Sequence, residues 1–152
     1  MVAGGGGERR PARLKIVVPT NFSKKSEMAL DFALMYSSFA NADVYLFHAL
    51  EERMTDYREL DRLNVEYMER MKQAMLQGIE RMAQKGITHT VSEVHRRISH
   101  GKIGTEVLKI AGGVGADMII MGKPSSKHFK ELLEKAPCTL VLIREKDTEF
   151  VI

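Results

Sequence analysis

Cations and hydroxyls crowd one stretch of this chain, Lys123-Pro124-Ser125-Ser126-Lys127-His128, directly after the apolar run Asp117-Met118-Ile119-Ile120-Met121-Gly122. Such a run ending in glycine reads as a buried parallel strand opening into a loop. In an open α/β sheet, ligands bind at that C-terminal edge, and these residue types hold anions. A phosphate cradle also needs backbone N–H groups in close approach, usually through glycines. None follows Gly122 before the next apolar run. A smaller anion site can be drawn from Asn21, Gly122, Lys123, Ser125 and Ser126, with the N-terminus of a short helix beginning near Ser126. Ser125-Ser126 reads more simply as a plain helix N-cap.

Other chemistry-bearing patterns do not close. Gly101-Lys102 is followed by Ile103 where a phosphate loop needs Ser or Thr, and Arg96 holds the earlier glycine position. Gly113-Val114-Gly115 lacks the third glycine of a dinucleotide fingerprint, since Met118 stands there, and it precedes a strand. It reads as a tight helix-to-strand turn. The five histidines show no i,i+4 pair, so no metal site is expected. Cys138, after Pro137 and before an apolar run, reads as a buried structural thiol. No pair of carboxylates falls at two strand ends, and no enzyme is expected.

Composition bounds the partners. The chain has 152 residues, 44% hydrophobic and 28% charged, enough for one folded domain with a core. A net charge of +3 falls short of the basic stripe of a nucleic-acid binder. One cysteine excludes an internal disulfide and fits a reducing compartment, so a cytoplasmic protein is expected. No apolar stretch reaches the ~20 residues of a bilayer span, so no membrane insertion is expected. Residues 1–13, with Gly4-Gly5-Gly6-Gly7 and then Arg9, Arg10 and Arg13, read as a flexible tail without a signal peptide's apolar region.

The elements that would position these residues follow from patterning. Five apolar runs alternate with helical stripes, the signature of an α/β fold with a parallel sheet. The runs are Leu14–Pro19, Val44–Leu50, Thr88–Ile98, Asp117–Met121 and Thr139–Ile143. The third carries Glu93, His95, Arg96 and Arg97, which suits an edge strand. A first helix over Ser26–Ala40 is predicted to bury Met28, Phe32, Met35 and Phe39. A long second helix starts near Thr55 or Asp56, carries Leu60, Leu63, Tyr67, Met71, Met75, Ile79 and Met82, and stops at Gly86. A third contains Ile103, Val107 and Ile110 and ends at Gly112-Gly113; a fourth spans Ser126–Lys135 with Phe129, Leu132 and Leu133 inward. The ten methionines fall mostly on these stripes, as flexible core filler.

From Leu14 to Arg144 the chain resembles the universal stress protein family. The resemblance rests on Ile16-Val17-Val18-Pro19-Thr20-Asn21-Phe22-Ser23 as first strand and loop, and on His48 near the end of strand two. It rests also on Gly101 before the third helix, on Ala116–Gly122, and on Ala136–Ile143 as the last strand. It implies an open, Rossmann-like five-stranded parallel sheet of order 3-2-1-4-5, helices on both faces, and a homodimer through the last strand. A domain over residues 14–145 is expected, with 146–152 as an extension. Leu140, Leu142, Phe150 and Ile152 are the expected dimer contacts.

Two departures matter. ATP-binding members carry Gly-x2-Gly-x9-Gly-Ser/Thr after strand four; here Gly122 fills the first place, Ser125 replaces the second glycine, and the remainder has no counterpart. The acidic residue that receives adenine in those members is Asn21. The expectation is a non-catalytic, dimeric stress-response or regulatory module that does not bind ATP. The alternatives are a module for AMP, a cyclic nucleotide or another small anion, and a regulatory partner of a membrane transporter. No cofactor is expected, and an unknown protein partner fits the first reading.

Overall fold

Uninterrupted aliphatic and β-branched residues favour extended backbone, and a strand apolar on both sides must be covered on both. The computed structural model describes residues 13–51, 56–88, 94–124 and 126–144. They form β1 (Leu14–Pro19), α1 (Lys24–Ala40), β2 (Ala42–Leu50), α2 (Tyr57–Gln84), β3 (Val94–His100), α3 (Ile103–Val114), β4 (Met118–Gly122), α4 (Ser126–Lys135) and β5 (Thr139–Ile143). The sheet is open and parallel, in the order β3-β2-β1-β4-β5. Both the expected order and the edge place of the charged third strand hold.

Alternation along the strands divides the core in two. Ile16, Val18, Val44, Leu46 and Ile120 face α1 and α2, while Val17, Phe47, Ile119 and Met121 face the side covered by Val107, Ala111 and Leu132 of α3 and α4. Met71, Met75 and Met82 are fully buried on α2, and Met28, Met35, Met68 and Met118 pack against the same cluster. The described methionines are core filler, as their spacing indicated. Gly78 lets α2 sit tightly on α1, since a Cβ there would lie 2.9 Å from Leu34. Across that contact Asp31 accepts two 2.8 Å hydrogen bonds from the Arg81 guanidinium, and this bond above all raises the Arg81 pKa. The α2 end is as expected: Gly86 has φ +80, and Ile87 N–H returns to the Met82 carbonyl at 2.9 Å.

Several expected boundaries move. β2 begins at Ala42, because Ala42 and Asp43 pair with Leu14 and Lys15 although neither is a strong strand former. Arg13 secures that start by donating to Asp43, Asn41 and the Ala42 carbonyl. β3 runs on to His100, and residues 89–93 lie outside the described ones. Gly122 is the last strand residue, while Asp117 stands before β4, where its carboxylate accepts the Lys15 N–H at 2.9 Å. α3 passes through Gly112-Gly113 and is capped by Gly115 at φ +67.

Two buried faces differ from expectation. On α1, Phe39 is 80% exposed, and the buried ridge is Ser26, Ala29, Leu30, Ala33, Leu34 and Ser37. Small side chains let this helix lie close to the sheet, and Met28, Phe32 and Met35 are left half-buried along its flank. On α4 Leu132 is buried, but Leu133 is 58% exposed. Cys138 is half-buried rather than buried; partial desolvation, then the charge of Asp117, push its thiol pKa up.

Candidate functional site

In a doubly wound sheet the loops from β1 and β4 leave for opposite faces, and the gap at their strand ends is the natural binding crevice. Here that crevice is a cleft of about 480 Å³. The β1 loop contributes Thr20 and Asn21, the first turn of α1 Lys25, and the β4 end Gly122, Lys123 and Pro124. His48 and Glu51 reach it from the end of β2, Tyr67 from α2, and Ile103 and Gly104 from the start of α3.

The β1 side is locked by local hydrogen bonds. Ser23 caps α1 by accepting the Ser26 N–H, and Ser26 Oγ donates to Asn21 Oδ1 at 2.6 Å. The same Oδ1 accepts the Ser23 N–H, and Ser26 Oγ accepts the Asn21 N–H. Phe22 turns between them at φ 64, a left-handed conformation that costs a residue with a Cβ about 1 kcal/mol or more. Its ring lies 5.1 Å from His48, with the Arg70 guanidinium 4.0 Å above its face. His48 stacks on Tyr67 at 4.4 Å, and its Nδ1 lies 2.8 Å from the Thr20 carbonyl. Since a carbonyl only accepts, Nδ1 carries the proton.

The β4 side is held differently. A Cβ on Gly122 would lie 2.7 Å from Lys25 Cβ, so glycine lets the first turn of α1 close onto β4. The Lys25 ammonium then donates to the Lys123 carbonyl at 3.0 Å. The Lys123 N–H is bonded to the Ile143 carbonyl, and its ammonium stands 5.8 Å over the Phe129 ring. Neither lysine is ion-paired among the described residues. On the α3 side Lys102 provides no side-chain cap, and Glu51 Oε1 accepts the Ile103 N–H at 2.7 Å.

The structure thus brings Asn21, Gly122 and Lys123 to one cleft. Ser126 begins α4, and Ser125 lies outside the described residues. Lys25, Glu51 and Tyr67 were not foreseen. Glu51 had a signal, as the first residue after an apolar run in a parallel sheet; Lys25 and Tyr67 sit on helix faces with no such mark. Of the expected dimer contacts, Leu140 and Leu142 lie half-buried on β5 against the α3–α4 side, while Phe150 and Ile152 lie outside the described residues. Among the described residues, no group of His, Cys, Asp or Glu could hold a metal ion. No described helix is long and apolar enough to cross a membrane.

Known proteins share this fold. Universal stress protein MJ0577 of Methanocaldococcus jannaschii is 27% identical over 132 residues, 78% of this chain and 82% of its own. A solved structure of MJ0577 gives a TM-score of 0.63 at 24% identity, covering 88% of this chain and 97% of the other. A universal stress protein of Archaeoglobus fulgidus in complex with dAMP gives 0.60 at 18% identity, with 86% and 97% covered. A universal stress family protein of Arabidopsis thaliana with AMP bound gives 0.57 at 12% identity, with 90% and 96% covered. The sequence model of the universal stress protein family matches residues 13–144. With that match over nearly the whole described span, the chain belongs to the universal stress protein family.

Proposed function

We propose that this chain is a non-catalytic regulatory module that binds a nucleoside monophosphate, of the AMP type, at the β1–β4 crevice and does not accommodate ATP. The observation that carries the reading is the make-up of the connection after Gly122. Only residues 123–125 separate β4 from α4. The Lys123 N–H is already bonded, and Pro124 has none to offer. Among the described lining residues the Lys25 and Lys123 ammonium groups are the cations that can meet phosphate charge, with the start of α4 beside them. This short donor set suits one phosphate group better than a chain of three. The solved relatives holding dAMP and AMP support an adenine mononucleotide. Three features support a binding role without catalysis. His48 Nδ1 is committed to a backbone carbonyl, Asn21 Oδ1 to the α1 cap, and one carboxylate alone lines the cleft among the described residues.

Calorimetry on the purified chain, checked first for carried nucleotide, tests this. AMP is expected to bind at least about tenfold more tightly than ATP, a difference of about 1.4 kcal/mol. Lys25→Ala and Lys123→Ala should each weaken AMP by about tenfold or more, one charge-assisted hydrogen bond apiece. No heat with AMP and no carried nucleotide would leave a module that acts through protein contacts alone.

The reading includes a homodimer. β5 is an edge strand, and one side of its backbone has no strand partner among the described residues. A second copy pairing there would cover that edge. Sedimentation should show a dimer at micromolar concentration; a monomer would remove this part of the proposal.

A further inference from the structure

The cleft is polar in a fixed direction. Its two cations, Lys25 and Lys123, stand where β1 and β4 diverge. Its one carboxylate among the described lining residues, Glu51, stands on the far side of β1, directly after β2. β4 and β2 flank β1, so at about 4.8 Å per strand pair the two walls are about 10 Å apart. A sugar phosphate spans such a gap with a hydrogen bond at each end.

The acceptors left for a ligand's hydroxyl groups are few. Asn21 Oδ1 is taken by Ser23 and Ser26, and Thr20 Oγ1 accepts the Phe22 N–H. The Thr20 carbonyl takes the His48 proton. Glu51 differs: Oε1 receives the Ile103 N–H, while Oε2 has no hydrogen-bond partner among the described residues, and the side chain is exposed. In dinucleotide-binding α/β sheets a carboxylate at the end of the second strand accepts from a ribose hydroxyl, and Glu51 holds the equivalent place along this sheet.

We infer that Glu51 selects the sugar: the cleft takes a ribonucleotide in preference to a deoxyribonucleotide, its phosphate between Lys25 and Lys123 and its 2′-hydroxyl on Glu51. The inference rests on the nucleotide reading above. It gives Glu51 a positioning role distinct from capping α3, because the cap uses only one carboxylate oxygen.

The test is calorimetry of AMP and 2′-deoxy-AMP on the full chain and on Glu51→Gln. The amide keeps an oxygen for the Ile103 N–H, so the start of α3 is preserved while the charged acceptor is lost. Wild type should prefer AMP by roughly tenfold, as expected for one charge-assisted bond at an open site. Glu51→Gln should lower AMP affinity toward that of 2′-deoxy-AMP and leave 2′-deoxy-AMP unchanged. A purely structural Glu51 would shift both ligands equally. Equal affinities in wild type, or a preference undiminished in Glu51→Gln, would overturn the inference and leave mononucleotide binding standing; a smaller residual preference is the neutral bond that the amide can still donate to the hydroxyl. Binding of neither ligand would overturn both.

Discussion

Two helices open onto the same cleft, and their first turns are built in opposite ways. α1 begins with its own cap, Ser23, and with Asn21 and Ser26 hydrogen-bonded to one another within a few residues. α3 begins at Ile103 with no side-chain cap from Lys102 before it, and borrows a carboxylate from Glu51, 52 residues earlier in the chain. A cap made locally costs little ordering entropy and stays closed; one made by a distant, exposed side chain opens to water more readily. The cleft therefore has a fixed wall at α1 and an adjustable one at α3.

The largest expected effect tests the fixed wall. Gly122→Val adds a branched side chain where even a Cβ would lie 2.7 Å from Lys25 Cβ. Urea denaturation should show a loss of about 1–3 kcal/mol, the range of overpacking. A loss below about 0.5 kcal/mol would mean that α1 is not held against β4 at this point.

The smaller effects set the two helix starts against each other. Ser23→Ala should cost about 1 kcal/mol, the usual value of an N-cap. Glu51→Ala should cost less than about 0.5 kcal/mol, because the exposed side chain it removes leaves the Ile103 N–H to water. Equal losses in the same denaturation series would show both starts to be equally fixed, and the contrast would fall.

The same contrast explains what could be read from the sequence. Strand runs and the drifting α2 stripe are local patterns, and they located the elements with their order along the chain. The β2 start was missed because Ala42 and Asp43 are recruited by pairing with β1 rather than by their own preference. The buried face of α1 was misread because the residues that touch the sheet are small, and hydrophobicity alone favours Phe39 over Ala33. In the cleft, Asn21, Gly122 and Lys123 were legible as residues at strand ends. Gly122 looked like a phosphate glycine, whereas the structure gives it a steric reason in Lys25. Lys25 and Glu51 act through bonds spanning 98 and 52 residues, and a single sequence carries no periodic signal for those.

The pairing of Lys15 with Asp117 bears on how the chain is made. β1 acquires β2 on one side early, but its other side waits for β4, 102 residues on by the Lys15–Asp117 bond. Until that length has left the ribosome, the central strand has an open edge at Lys15, Ile16 and Val17, the last two fully buried in the finished fold. Non-local parallel pairing is slow, and an unpaired strand edge is an aggregation risk during synthesis. The crevice between β1 and β4 is therefore among the last parts of the molecule to form, and the half-made chain is most vulnerable at the very strand around which the finished site is built.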